Sequence, residues 1–204
     1  MKKGTLSSII LALTLVTGLV MATLPVAGQS ILITIDQYHP NAVTFTATGN
    51  FATADDSSQL ELFGVDLTGY FSGVPDSGGA LPGSLTPAGT SSPFDSWAGD
   101  DYFGAGTNVD LNFYSSTSSD TETFSTSSSA FTGTTTIDLS SFLAQLPVTG
   151  TMGEIYSGYS RNPGVPIGMW EVVPEPSSLA QLILGGFALS GILAWRTRRS
   201  STRR

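Results

Sequence analysis

Ile31-Leu32-Ile33-Thr34-Ile35-Asp36, followed after a short break by Val43-Thr44-Phe45-Thr46-Ala47-Thr48, is the stretch that decides the fold. Ile31, Ile33 and Ile35 alternate with Leu32, Thr34 and Asp36, and Val43, Phe45 and Ala47 alternate with three threonines. Successive side chains on a strand point to opposite faces, so a period of two in β-branched and aromatic residues signals a half-buried strand. Gln37-Tyr38-His39-Pro40-Asn41 between the runs has turn composition. The pair therefore reads as two strands joined by a turn, with Thr44, Thr46 and Thr48 forming an exposed stripe.

The same pattern recurs outward from this pair. Between Gln59 and Tyr70, Leu60, Leu62, Val65 and Leu67 are interrupted by Gly64 and Gly69, which suggests a bulge or tight bend. From Ser72 to Gly106 the composition turns to Gly, Pro, Ser and Asp. Pro75, Pro82, Pro87 and Pro93 exclude a long helix there, and a loop of that length is expected to hide one or two short strands. Val109, Leu111 and Phe113 alternate with Asn108, Asp110 and Asn112. In Ser115 to Thr136, sixteen of twenty-two residues are Ser or Thr, and the tract reads as an edge hairpin with a polar outer face. Asp138 to Leu146 has the only helical spacing, one or two turns that Asp138 or Ser140 can cap and Pro147 ends. Ile155–Tyr159 and Ile167–Val173 supply closing strands, with Trp170 inward. Many short strands with Gly, Pro and Ser turns give the expected class: all-β, an antiparallel β-sandwich or jelly-roll-like domain.

The two ends differ in kind from this middle. Lys2 and Lys3 precede a charge-free apolar stretch from Leu6 to Val20, then Pro25 and the small residues Val26, Ala27 and Gly28. That order is a secretory signal peptide over residues 1–28, with cleavage after Gly28 and competing positions after Ala27 or Ala22. It implies the Sec translocon and signal peptidase as partners. Residues 29–172 then form an acidic extracytoplasmic domain. Fifteen of the sixteen acidic residues, but only one basic residue, Arg161, lie between Gln29 and Val173. A surface so charged repels phosphate backbones and anionic lipid headgroups, which argues against nucleic acid as a partner or a peripheral membrane role. There is no cysteine, so disulfide staples, thiol catalysis and Cys-ligated zinc are excluded.

Residue types for catalysis are scarce, and no catalytic residue is assigned. The one histidine, His39, lies in a turn composition, and no Gly-x-Ser-x-Gly elbow accompanies it. Asp55-Asp56 and Asp100-Asp101 are the paired carboxylates that a glycosidase would need, but sequence spacing does not bring two acids into one cleft. Asn108-Val109-Asp110-Leu111-Asn112 begins like an EF-hand loop, yet Phe113 replaces the required Gly and Ser119 the required Glu. No cofactor is expected. The same paired carboxylates could serve calcium, and a calcium-stabilised loop between Asp95 and Asp101, with Asp100, is the best candidate.

The C-terminal segment, residues 173–204, has three parts. Val173-Pro174-Glu175-Pro176 opens residues 173–178, where the two prolines fix φ and present an extended peptide. Leu179 to Trp195 is seventeen residues without a charge. As a helix it spans about 26 Å, just short of a hydrocarbon core of about 30 Å. Arg196, Arg198 and Arg199 follow, which place the C-terminus in the cytoplasm by the positive-inside rule, with Trp195 in the interfacial belt. The acidic domain then faces outward.

This ordered combination resembles the PEP-CTERM sorting signal, also catalogued as the ice-binding protein C-terminal domain. The resemblance rests on Val173, Pro174, Glu175, Pro176, the Gly-containing apolar segment from Leu179 to Trp195, and the arginines from Arg196. It implies recognition by exosortase, cleavage near Pro174-Glu175-Pro176, and transfer to the cell surface or extracellular matrix of a bacterium that makes extracellular polysaccharide. It implies nothing about the domain that precedes it. The expectation is an inner-membrane precursor that becomes a non-enzymatic surface protein, structural or adhesive. The alternatives are a carbohydrate-binding module stacking sugars on Trp97, Tyr102, Phe103 or Trp170, and a carboxylate-pair glycosidase.

Overall fold

A computed structural model of the chain describes residues 30–59, 64–73, 77–100, 109–158 and 165–174. The expected signal peptide and the apolar segment 179–195 lie outside the described residues. Among the described residues no helix is long and apolar enough to cross a membrane. The described part is all-β.

The opening stretch folds as read. β1 (Ile31–Asp36) and β2 (Val43–Ala47) pair antiparallel, joined through a 3-10 turn at Pro40–Ala42. Two short pieces and one long one follow: β3 (Asp56–Gln59), β4 (Val65–Phe71) and β5 (Ser77–Ala80). The Gly- and Pro-rich stretch yields three strands rather than one or two, β5 together with β6 (Thr86–Pro87) and β7 (Ser96–Asp100). Then come β8 (Val109–Tyr114), β9 (Thr121–Phe124), β10 (Phe131–Thr132) and β11 (Thr134–Ile137). A single 3-10 turn, Ser140–Phe142, replaces the expected helix, and Asp138 Oδ1 accepts a hydrogen bond from the Ser140 amide at 3.0 Å. β12 (Met152–Ser157) and β13 (Pro166–Val172) close the fold.

Nine of the strands form one sheet in the order β11-β2-β1-β13-β12-β4-β8-β7-β5. β3 with β9 and β6 with β10 form two small sheets. In a flat sheet, β2 and β8, five strand spacings of about 4.8 Å apart, would be separated by roughly 24 Å. Phe45 of β2 and Phe113 of β8 instead meet edge to face with ring centroids 5.0 Å apart. The sheet is therefore curled until its halves face each other. Phe94, Phe124 and Phe131 fill the space against them, with Phe94–Phe113 at 6.1 Å and Phe124–Phe131 at 5.3 Å. Burying such a ring contributes about 1.5–3 kcal/mol each, so this aromatic chain is the main cohesive element of the core.

Three expectations need correction. The sheet is not antiparallel throughout, because β1 and β13 run parallel, with Ile35 opposite Val172. The Ser/Thr tract is ordered but is not a hairpin: β9 pairs with β3, β10 with β6, and β11 with β2 at the sheet edge. Phe124 and Phe131 are both buried and meet at 5.3 Å, so β9 and β10 pack their inner sides together while each pairs with a different strand. The polar side of β8 is also inside, with Asp110 and Asn112 buried. Both fasten β4. Asp110 Oδ1 accepts from the Gly69 amide, and the Asn112 amide donates to the Val65 carbonyl at 3.1 Å. Gly69, at φ 65°, makes the bulge between Leu67 and Phe71 that turns this amide toward Asp110.

Candidate functional site

β13 stands fourth in the nine-stranded order, between β1 and β12, and from its end the chain runs into the Pro-Glu-Pro segment. The exit is held on both sides. The Val173 amide donates to the Ile35 carbonyl at 3.0 Å, Val172 to Thr151 at 2.9 Å, and Gly150 to Val172 at 2.8 Å. Val172 is buried, Val173 half-buried and Pro174 exposed. Glu175, Pro176, Leu179, Trp195, Arg196, Arg198 and Arg199 lie outside the described residues. β13 ends at Val172, and Val173 carries its hydrogen bonding one residue further, to the Ile35 carbonyl.

A groove of about 460 Å³ opens at this exit, lined by Tyr38, Leu143, Leu146, Val148, Val172 and Val173 among others. Its floor is tied by Gln37, whose side-chain amide donates to the Pro147 carbonyl at 3.0 Å while its oxygen accepts from the Tyr70 hydroxyl at 3.3 Å. Burial pushes the Tyr70 phenol well above its ordinary range, so it remains a donor. Tyr38, Leu143 and Val148 on the rim are 61, 59 and 76 % exposed. Isolated exposed apolar residues are ordinary, but several grouped around one groove are not.

Two settings stand out among the described acidic residues. Asp95 is wrapped by the loop after β8: its carboxylate accepts from the Ser96, Ser115 and Thr117 hydroxyls and from the Ser116 amide, at 2.8 to 3.1 Å. Slight burial raises its pKa, but the hydrogen bonds from Ser116, Ser96 and Thr117 outweigh that and bring it down to about 2. Asp100 pairs through its backbone with Asp110 across β7 and β8, and Asp101 lies outside the described residues. No group of three or more His, Asp or Glu among the described residues is placed to hold a metal ion.

The second setting was not read from the sequence. Glu122 is fully buried, where its Oε1 accepts from the Ser58 hydroxyl at 2.8 Å and its Oε2 has no hydrogen-bond partner. Burial, opposed by Ser58 and reinforced by the nearby Asp56 charge, pushes its pKa up to about 8. Asp56 in turn accepts from the Ser157 hydroxyl, which links the small β3–β9 sheet to β12. Glu122 and Phe124 share one side of an alternating run, so the strand that buries Phe124 buries Glu122 as well.

The remaining sequence candidates are placed as follows. Trp97 and Trp170 are core residues, 5 and 1 % exposed, and present no face to a sugar ring, while Tyr102 and Phe103 lie outside the described residues. His39 is exposed in its turn with its ring against Tyr38, centroids 4.6 Å apart. Thr44 and Thr46 face Thr136 and Thr134 across β2 and β11, with hydroxyls 3.3 and 3.4 Å apart, so the threonine stripe widens to two strands.

A family model described as the PEP-CTERM protein-sorting motif matches residues 172–199. No curated protein and no solved structure matches the chain. The C-terminal segment therefore carries a PEP-CTERM sorting motif, beginning at the last residue of β13.

Proposed function

We propose that the chain is an exported protein sorted through its C-terminal motif by exosortase, and that its β domain serves a non-enzymatic structural or adhesive role at the cell surface or in the extracellular matrix. The observation that carries this reading is the sorting-motif match over residues 172–199, joined to the end of an all-β domain. The signal peptide delivers the domain through the Sec translocon. The segment 179–195 holds the precursor in the inner membrane, and the arginines from Arg196 keep the C-terminus cytoplasmic. Cleavage near Pro174-Glu175-Pro176 then frees the domain from its anchor.

The non-enzymatic reading draws support from how three of the described acids are engaged. Asp95 orders a loop, Asp110 holds a bulge, and Glu122 is sealed in the interior. A hydrolase needs a pair of acids open to one cleft. Extracellular polysaccharide is the partner that the sorting route suggests. Replacing Pro174 and Glu175 together with alanine tests the sorting role in cells that carry exosortase. The expected outcome is accumulation of the full-length precursor in the membrane fraction. Unchanged release of the doubly substituted chain would refute it.

A further inference from the structure

Six large apolar residues are exposed among the described residues, and four of them, Tyr38, Leu143, Val148 and Met152, stand at the end of the fold from which the chain leaves. The other two, Phe51 and Val165, stand at the opposite end, where Ser30 and Thr53 tie to Phe51 and Pro166. The exit end is also where the chain must approach the membrane. Val173 lines the groove, and only the five residues 174–178 separate it from Leu179, the start of the charge-free segment. Fully extended, five residues reach at most about 18 Å. A seventeen-residue helix is a few ångströms shorter than the hydrocarbon core, and such a mismatch draws the flanking residues toward the interface. The tether therefore holds the groove close to the headgroups.

The chemistry of the face suits that position. Tyrosine favours the interfacial zone, where its ring is buried and its hydroxyl remains wet. Leu143 and Val148 add apolar area on the same rim. Asp36 also lines the groove, and the exposed Asp138 lies in the adjoining segment. Those carboxylates disfavour an anionic surface and leave a zwitterionic one as the better match. We propose that, while the precursor is anchored, the groove face rests on the outer headgroup layer of the bilayer, with Tyr38, Leu143 and Val148 entering it. The proposal rests on the membrane reading of segment 179–195. Its consequence is orientational: Pro174 is held at the membrane surface, within reach of a membrane-embedded processing enzyme.

The cysteine-free chain makes the test direct. Full-length Val148→Cys and Phe51→Cys proteins, each carrying an environment-sensitive dye, are reconstituted in phosphatidylcholine vesicles containing a headgroup-level spin-labelled quencher. Both positions are exposed, so neither substitution disturbs the core. The dye at Val148 is expected to lose most of its fluorescence to the quencher, and the dye at Phe51 little. Part replacement with phosphatidylglycerol should weaken the quenching at Val148. Equal quenching at the two positions overturns the proposal. So does a dye at Val148 that is shielded from aqueous iodide yet untouched by the lipid quencher, because the groove is then filled by protein. A chain that fails to float with the vesicles overturns the membrane reading of the tail, and this proposal with it.

Discussion

In Thr121-Glu122-Thr123-Phe124 the side chains alternate, and Phe124 takes Glu122 inward with it. A buried carboxyl avoids the cost of ionisation by keeping its proton, and with Asp56 nearby its pKa rises from an ordinary 4.5 to about 8. A folded-state pKa above the unfolded value means that stability is complete below about 4.5 and drains away as the pH climbs toward 8 and beyond. Each pKa unit is worth about 1.4 kcal/mol, so the loss across that window amounts to several kcal/mol. Urea unfolding at pH 5 and pH 9 should therefore show a marked alkaline destabilisation. Glu122→Gln, which keeps the shape without the titration, should flatten that slope, and an unchanged slope would contradict the assignment. Asp95 has the opposite sign. Its pKa, lowered to about 2, gives stability that is lost only in strong acid, and because the site is largely open to water its worth is small. Asp95→Ala should release the 115–118 loop, seen as faster amide exchange at Ser116, while stability falls by about 1 kcal/mol. Neither role was legible beforehand. Alternation shows that Glu122 and Phe124 share a face, but in a tract so rich in Ser and Thr it does not say which face is the core.

Individual strands were far more legible than their partners. β1, β2, β4, β8 and β13 all fall where period-two alternation places them, because local pattern is enough to define a strand. Pairing over long separations leaves no local trace. Nothing near Ile35 announces a parallel partner at Val172, nor does the Ser/Thr tract reveal that its three strands go to three different neighbours. The β12–β13 pair illustrates how tightly the chosen register is fitted. Gly153 lies opposite Trp170, whose indole donates to the Thr68 carbonyl at 3.3 Å, and a Cβ at Gly153 would stand 2.5 Å from the indole ring. Gly153→Ala should therefore destabilise by about 1–3 kcal/mol through overpacking. Trp170→Ala, which empties the same site, should cost about 3–5 kcal/mol. Thermal denaturation of the two variants checks both, and a neutral Gly153→Ala would mean that the register differs from the one described.

At the scale of the whole molecule, the strands of the described fold run to Val172, where the sorting-motif match begins. Every buried apolar residue of the described core precedes Val173, so removal of residues 174–204 should leave the melting temperature of the domain nearly unchanged. A large drop would show that the tail belongs to the fold. The tail was readable from sequence because its chemistry is local and ordered: prolines, a charge-free run, then arginines. The role of the domain was not: among the described residues no three or more His, Asp or Glu are grouped to hold a metal, Asp95 orders a loop and Glu122 is buried in the core. What ties the two together is position, a sorting motif that begins on a central strand beside an apolar face. On the proposed reading, this motif is a processing signal and not a permanent anchor. Intact mass measurement of the mature protein from cells with exosortase tests it directly. A C-terminus near Pro174-Glu175-Pro176 is expected, with the segment from Leu179 onward gone. A mature chain still ending in Arg204 would contradict it.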